Sequence, residues 1–530
     1  MSAQRVGRRM LGRTALAAGL AAPARLAHAG QRILRMVPHG DLVWLDPTFW
    51  PYLITRNHAM MVYDTLYGVD DTGAVQPQMA EGHTVENDGR LWRIRLREGL
   101  VFHDGTPVLA RDCTASILRW GTHTALGQSL MSVTQEMSAP DDRTIQFRLS
   151  NRYPMLAASF ASATMQMCVM MPERIAANSD FRAITEVVGS GPFRYLADER
   201  VPGSRVAYAR HDAYVPRASG TPSFLAGPKV AHFDRVEWLP MPDGEAQAAL
   251  RDGRVDWWEA PTTAASQALA ADPRIAQQVH DHAGFIGTLR LNHLTHPFNI
   301  PAARRALLRG IDQAGFMAAT GALPDHQRAG VGFFCPCSPM ASSDGMAALA
   351  PPPDFAAARE ALRAAGSLGT RIVVTGAGDL GPSRGLTEFG AEMLRRIGFE
   401  VVLDLVPLRD LVPRLLRTQP SGAGGWNVVF GYWSGFDMWD PGVNRYLRGD
   451  GPAGEVGWPT SEHIEALRRA WLMAPEEATR QDIAANIQEQ AFVEVPYVPL
   501  GQWTRPTAYD QRLTGMLNGF PLFWNLRRAG

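Results

Sequence analysis

The 530-residue sequence contains few cysteines, a single lysine and no excess of either charge. Lysine and arginine together number 52, yet only Lys229 is a lysine, which disfavours chemistry centred on a lysine amine. The 52 acidic residues balance the basic ones, so no overall positive field attracts nucleic acid. Beyond the N-terminus no apolar run approaches the roughly 20 residues that span a bilayer. These absences predict a soluble, folded chain that binds no nucleic acid.

Four cysteines are too few for a disulfide framework in a chain of this length. Cys335 and Cys337 are separated by one proline, so a bond between them is expected to be strained. Cys113 and Cys168 are predicted to be small buried apolar residues. A metal site at Cys335 and Cys337 needs two further ligands, and the sequence shows no second cluster. We therefore predict no metal site.

The N-terminus has the pattern of an export signal. Arg8 and Arg9 precede an apolar stretch over residues 15–24, and Ala27-His28-Ala29 forms a small-x-small cleavage pattern. The paired arginines favour the twin-arginine route. We predict that residues 1–29 are a signal cleaved after Ala29 and that the mature protein is periplasmic. The alternative is a disordered tail rich in arginine and alanine.

The pattern of predicted elements changes along the chain. Up to about residue 285 the sequence is rich in strands, such as the alternating segment 91–102. Beyond it, Pro301, Asp354 and Ser461 each favour the start of a helix, and strands alternate with helices. Alternation of this kind is typical of an open α/β domain with a parallel sheet.

Gly376 to Gly381 forms a G-x-G-x-x-G motif between a predicted strand and a predicted helix. Asp404 ends the next strand, 23 residues after Gly381. This is the spacing of a dinucleotide-binding turn, in which backbone N–H groups hold a pyrophosphate. Matches by chance are frequent in a chain with 50 glycines, so an ordinary strand-turn-helix is the competing interpretation.

No arrangement of catalytic side chains is evident. A G-x-S-x-G nucleophile elbow is absent, and Ser190 precedes a predicted strand rather than a helix. His280-Asp281-His282 could bind a metal but lacks a third spaced ligand, which favours a solvated loop. We predict no catalytic residues, no cofactor and no enzymatic activity.

The segment from Gly431 to Pro441 combines four aromatic residues, two acids and two glycines, directly after a predicted buried strand. Ligands in open α/β sheets bind at the carboxyl ends of strands, and aromatic walls with a few charges suit a small-molecule cleft. A desolvated carboxylate there could pair with a ligand ammonium group. The alternative is a packed aromatic loop with solvated acids. The candidate ligand contacts in this segment are Tyr432, Trp433, Phe436, Asp437, Trp439 and Asp440.

These residues and several landmarks that precede them carry a family resemblance. The landmarks are Leu42–Pro47, Gln78–Gly82, Leu91–Pro107, Gly189–Phe193, Leu291-Asn292, Pro297-Phe298 and Trp433–Pro441. Together they resemble the family 5 extracellular solute-binding proteins, the dipeptide, oligopeptide and nickel-binding receptors of ABC importers. The resemblance covers nearly the whole chain after residue 29.

The resemblance implies an α/β, two-lobed periplasmic-binding-protein fold of the large type II class, with an inserted subdomain and a ligand cleft between the lobes. The implied divisions are lobe I at 30–68, 190–285 and 500–530, the inserted subdomain at 69–189, and lobe II at 286–499. Two hinge crossings are implied at Thr288–Asn292 and Pro499–Trp503. The glycine motif then becomes an ordinary turn of lobe II.

The resemblance also implies solute capture by cleft closure, without covalent chemistry, by a monomer that delivers its solute to an ABC permease. The solute is expected to be peptide-like or otherwise small and polar. Trp44 would contact it from lobe I, Gln502 and Trp503 would lie near the hinge, and Asp437 is the nearest match to the carboxylate that holds an α-amino group. The alternatives are an exported dinucleotide-dependent enzyme and a sensor or chaperone with the receptor fold.

Overall fold

The computed structural model describes residues 32–177, 183–349 and 351–529, which form two large sheets, a four-stranded sheet and two small strand pairs. The export signal predicted for residues 1–29 lies outside the described residues. Within those ranges, no helix is both long and apolar enough to cross a membrane.

The seven-stranded sheet is built around Ile33–Val37, which pairs in parallel with strands on both sides. Leu34 and Met36 alternate with less buried residues, and both side chains are fully buried. The strands in spatial order are Ile275–Gln278, Thr507–Asp510, Trp257–Trp258, Ile33–Val37, Arg235–Trp238, Val206–Arg210 and Phe193–Tyr195. The helices in the same parts of the chain are Leu53–Val62, Asp243–Arg251 and Thr263–Leu269.

An antiparallel four-stranded sheet occupies the middle of the first half. Its strands in spatial order are Ala80–Glu86, Leu91–Leu96, Thr144–Leu149 and Thr134–Asp141. Its helices are Ala110–His123, Ala125–Val133, Leu156–Ala161 and Glu173–Ala176. Ile94, Phe147 and Ile117 are fully buried between the sheet and the first of these helices. The strand pair Tyr67–Val69 and Val75–Pro77 leads into it, and Leu513–Thr514 pairs with Arg527–Arg528 near the C-terminus.

The six-stranded sheet belongs to the second half of the chain. Its strands in spatial order are Gln327–Arg328, Tyr497–Trp503, Phe285–Leu291, Val428–Ser434, Arg371–Ala377 and Glu400–Val406. Its helices are Pro301–Leu308, Gln313–Ala319, Phe355–Ala364, Gly381–Ile397, Leu408–Leu415, Glu462–Met473 and Glu477–Glu494. Pro301 at a first turn and the side-chain caps of Asp354 and Ser461 confirm the predicted helix starts.

The prediction of a parallel sheet in this half is confirmed for three strands, but the sheet as a whole is mixed. Arg371–Ala377 is parallel to both of its neighbours, whereas Phe285–Leu291 is antiparallel to Val428–Ser434 and Tyr497–Trp503. The chain enters the sheet on Phe285–Leu291 and leaves it on Tyr497–Trp503 in the opposite direction. Both of these strands are buried along their whole length, as expected for the centre of a covered sheet.

The chain crosses between the two large sheets at residues 279–284 and 504–506. The hinge ranges expected at Thr288–Asn292 and Pro499–Trp503 instead lie mostly or wholly within strands of the six-stranded sheet. Phe285 begins one of these strands, Trp503 ends the other, and the two residues are register partners, so both crossings leave the sheet at the same end.

Candidate functional site

A cavity of about 520 Å³ opens where the parts of the structure that contain the seven-stranded, four-stranded and six-stranded sheets meet. One wall comes from the turn at Asp70–Gly73 and from Phe224, and a second from residues 154–163 beside the four-stranded sheet. The segment after Val428–Ser434 supplies a third wall, and the crossing at 279–284 contributes His280 and His282. Every large part of the chain therefore contributes to the lining of this cavity.

Stacked aromatic rings form the apolar wall of this cavity. The ring of Phe436 stacks on Phe224 at 5.0 Å and on Trp439 at 5.6 Å between centroids. Gly435 allows the backbone of this segment to approach the crossing at 279–284, since a Cβ there would lie 2.2 Å from the carbonyl oxygen of Ala283. The segment therefore passes close to the crossing, and its Phe436 and Trp439 side chains line the cavity.

Asp440 is the carboxylate of the same segment that lines the large cavity. Its Oδ1 accepts hydrogen bonds from the backbone N–H groups of Gly442 (2.7 Å) and Val443 (3.1 Å). Burial raises the pKa of Asp440 to about 6, against the lowering effect of these two bonds and of Arg468. The carboxyl is thus held by its own loop.

A second, polar cavity of about 150 Å³ adjoins the first, and the two share Leu126, Ser162 and Val443 as lining residues. Asp437 lines this smaller cavity together with Arg445. The Oδ1 atom of Asp437 accepts a hydrogen bond from the backbone N–H of Met165 at 3.0 Å. Its buried Oδ2 atom has no hydrogen-bond partner among the described residues.

Burial raises the pKa of Asp437 to about 6, while the positive charges of Arg56 and Arg445 act to lower it. Arg56 is itself buried, donates a hydrogen bond to Ser434 Oγ (3.1 Å) and lies 3.8 Å from the centre of the Phe520 ring. Burial lowers the pKa of Arg56, and the acids Asp281, Asp437 and Glu259 oppose that effect. The site therefore places acidic and basic side chains close together in a buried environment.

The structure brings only part of the predicted set to the cavities. Phe436, Trp439 and Asp440 line the larger one, and Asp437 lines the smaller one. Trp44 lies outside both linings and stacks on Trp50 at 4.2 Å between ring centroids.

The remaining predicted residues pack behind the cavity walls. Tyr432 and Trp503 contact each other at 5.2 Å between centroids, next to Phe285. Trp433 packs edge-on against Tyr446 at 5.2 Å. Gln502 donates a hydrogen bond from Nε2 to the carbonyl oxygen of Ala283 at 2.8 Å. They support the crossing and the aromatic segment from within the six-stranded sheet.

Sequence reasoning missed the two arginines beside Asp437. Arg56 comes from the helix Leu53–Val62 and Arg445 from a short turn after the aromatic segment. Met165, whose backbone N–H binds Asp437, lies far from both in sequence. No local motif connects these residues, because only the fold brings them together.

The glycine motif packs as part of the fold. The strand Arg371–Ala377 ends inside it, and the helix Gly381–Ile397 begins at its last glycine. A Cβ on Gly376 would lie 2.0 Å from Thr387 Oγ1, so this glycine permits close packing of strand and helix. Asp404 forms an ion pair with Arg414. Each of these features has a structural role that needs no nucleotide.

The architecture is that of a two-lobed receptor with an inserted subdomain and a solute-sized cavity where its parts meet. The sequence profile of the bacterial extracellular solute-binding proteins, family 5 Middle, matches residues 74–455. The chain belongs to that family, whose members are solute-binding receptors rather than enzymes, and the protein therefore works outside the cytoplasm.

Two relatives illustrate the range of sequence similarity. The "Probable peptide ABC transporter periplasmic-binding protein y4tO" of Sinorhizobium fredii is 32% identical over 535 residues, covering 99% of this chain and 100% of the relative. The glutathione-binding protein GsiB of Escherichia coli O1:K1 is 23% identical over 325 residues, covering 59% of this chain and 60% of the relative.

Solved structures share the fold at low sequence identity. The periplasmic binding protein AgaA of A. tumefaciens R10, in complex with agropinic acid, has a TM-score of 0.79 at 20% identity, covering 94% of this chain and 99% of AgaA. The dipeptide-binding protein of Pseudoalteromonas sp. SM9913, in complex with Met-Leu, has a TM-score of 0.74 at 18% identity, covering 94% of this chain and 100% of that protein. These likenesses confirm the predicted two-lobed type II fold.

Proposed function

We propose that this receptor captures a short peptide-like solute bearing a free amino group and delivers it to an ABC permease, without covalent chemistry. The observation that carries the proposal is the pair of adjoining cavities, one apolar and aromatic and the other polar with an unpartnered carboxylate oxygen. The similarity to a relative named for peptide transport supports the same solute class.

The larger cavity suits the apolar part of such a solute. Its volume of about 520 Å³ lies in the range of roughly 300–1,000 Å³ that is common for small-molecule sites. Phe224, Phe436 and Trp439 offer ring faces for an apolar side chain. Contacts from all sides favour the closed form, because only a closed receptor makes them simultaneously.

The smaller cavity suits the amino group. A buried carboxylate oxygen without a partner is costly, and an ammonium N–H can satisfy it through a charge-assisted hydrogen bond. Asp437 Oδ2 meets this description, whereas Asp440 already binds two backbone N–H groups of its own loop. We therefore assign the ammonium to Asp437.

The proposed lobes follow the two large sheets. Lobe I carries the seven-stranded sheet, lobe II the six-stranded sheet, and residues 69–189 the inserted subdomain. We propose that closure bends the crossings at 279–284 and 504–506, and that Trp44, Gln502 and Trp503 act near the closing interface. We further propose that the receptor is monomeric, and that the twin-arginine route exports it with cleavage after Ala29.

A thermal-shift screen tests the solute class. The purified protein, stripped by partial unfolding and refolded, is expected to be stabilised by dipeptides or tripeptides. A solute present at about 100 times its Kd adds roughly 2.7 kcal/mol to the free energy of unfolding. The panel should contain opines, oligosaccharides, nickel–histidine and NAD as alternatives. Stabilisation by NAD alone, or by sugars alone, would contradict the proposal.

The affinity for a cationic solute is expected to fall as the pH drops below about 6. Burial raises the pKa of Asp437 to about 6, so the carboxylate that would pair with the ammonium is lost by protonation below that value. Each pH unit below the pKa costs about tenfold in the ionised fraction. Titration calorimetry with a dipeptide between pH 7.5 and 5 measures the effect, and an Asp437→Asn variant should show a much flatter profile.

The stability of the empty protein is expected to depend on pH in the opposite direction. Asp437 and Asp440 have folded-state pKa values raised to about 6 from 3.8, so the folded protein binds these protons more tightly than the unfolded chain. Their contribution to the free energy of unfolding is fully present below pH 3.8 and is lost as the pH rises through 6. Urea unfolding at pH 5 and 7 should show a smaller pH dependence in an Asp437→Asn, Asp440→Asn double variant.

A further inference from the structure

Cys335 and Cys337 lie together in a tight turn at the edge of the large cavity. The backbone N–H of Ser338 donates to the carbonyl oxygen of Cys335 at 2.8 Å, which closes a four-residue turn with Pro336 in its second position. Proline fixes its own φ and favours this position of a turn. The turn brings the two Sγ atoms to 3.0 Å from each other.

The two thiols differ in their surroundings. Cys335 is buried, while Cys337 is exposed and contributes to the cavity lining. The hydrogen bond between the two thiols lowers the pKa of Cys337, and the same bond together with burial raises the pKa of Cys335. An accessible sulfur with a lowered pKa is thus paired with a buried thiol 3.0 Å away, an arrangement suited to thiol–disulfide exchange.

We propose that Cys335 and Cys337 are a redox-active pair, which small disulfides oxidise to a reversible Cys335–Cys337 disulfide in the wall of the cavity. An extracytoplasmic compartment permits disulfides, and a strained bond between near neighbours in sequence is the reducible kind. The proposal concerns the thiols alone and does not depend on the identity of the solute.

The exchange takes place in two steps. The Cys337 thiolate attacks one sulfur of oxidised glutathione, the bond between the two glutathione sulfurs breaks, and one glutathione thiolate leaves. Cys335 then loses its proton to solvent and attacks Cys337 Sγ, which releases the second glutathione. One disulfide bond breaks and one forms, so the two protein thiols are oxidised while one glutathione disulfide is reduced to two thiols.

Counting thiols tests the proposal. The folded full-length protein is incubated with either oxidised glutathione or dithiothreitol, quenched with acid, unfolded and alkylated with N-ethylmaleimide. Its four cysteines should all be labelled after reduction, and two after oxidation, with peptide mapping assigning the loss to the Cys335–Cys337 peptide. Four labelled cysteines after oxidation would overturn the pairing, as would a loss located at Cys113 and Cys168.

Two variants sharpen the test. Cys335→Ser removes the resolving thiol, so Cys337 should retain a glutathione adduct that the wild-type protein resolves. A Cys113→Ala, Cys168→Ala variant leaves only the proposed pair and should lose both remaining labels on oxidation. A stable glutathione adduct on Cys337 of the wild-type protein, without the internal bond, would contradict the mechanism.

Discussion

Replacing Asp437 by asparagine is expected to weaken the binding of a dipeptide about 30-fold. The substitution keeps the size of the side chain and an oxygen for the Met165 N–H, but removes the charge offered to the solute ammonium. A hydrogen bond to a charged group contributes about 1.5–3 kcal/mol, and 2 kcal/mol corresponds to about 30-fold in Kd. Titration calorimetry at pH 7.5 measures the change.

Asp440→Asn is the matched control for this prediction. Asp440 belongs to the same segment and its pKa is raised to a similar value, but its Oδ1 is already bound by Gly442 and Val443. This variant is expected to change the affinity less than threefold. An N-acetylated dipeptide supplies a second control, because it has no ammonium group that could pair with Asp437. If Asp437→Asn weakened both forms of the peptide equally, Asp437 would not be the ammonium site.

Lys229→Met is expected to lower the free energy of unfolding by about 3–5 kcal/mol. The Nζ atom of Lys229 lies 2.7 Å from Asp64 Oδ1, and both side chains are completely buried. Tyr214 donates to the other carboxylate oxygen of Asp64 at 3.0 Å, and Lys229 lies over the Trp524 ring. Removing one partner leaves an uncompensated buried charge, which is the costly way to break such a pair. Urea unfolding, monitored by tryptophan fluorescence and circular dichroism, measures the loss.

The exposed pair of Arg384 and Glu388 provides the control for the buried one. Its Nε–Oε1 distance is 3.1 Å and both side chains are more than half exposed, so Arg384→Met should cost less than about 0.5 kcal/mol. A Lys229→Met, Asp64→Asn double variant should recover much of the stability lost by Lys229→Met alone. A Lys229→Met protein as stable as the Arg384→Met protein would show that the buried pair contributes little.

Local sequence signals predicted the local structure well. Proline at a first turn and the side-chain caps at Asp354 and Ser461 depend on neighbouring residues only, and these helix starts are confirmed. The parallel arrangement predicted for the six-stranded sheet holds for Arg371–Ala377 and its two neighbours, but not for Phe285–Leu291, which is antiparallel to both strands beside it. The direction of that strand depends on the register of Phe285 with Trp503, two residues that are far apart in the chain.

The candidate site likewise contains features that the local sequence predicts and features that only the tertiary fold creates. The aromatic segment was recognised from its composition, and Phe436 and Trp439 do line the large cavity. The electrostatic environment of Asp437 could not be predicted, because Arg56 and Arg445 approach it only through the packing of separate elements. Lys229 was noted only for its rarity, and its buried partner Asp64 is likewise a result of the tertiary fold.

The crossings at 279–284 and 504–506 leave the six-stranded sheet from paired residues, Phe285 and Trp503. Two short connections that lie side by side allow one lobe to rotate about a single axis relative to the other, and they resist rotation about any other axis. Each opening and shutting should therefore retrace the same path. The outer surface presented when the receptor is shut would then be the same every time, which gives a membrane partner a single shape to recognise, whichever cargo is inside.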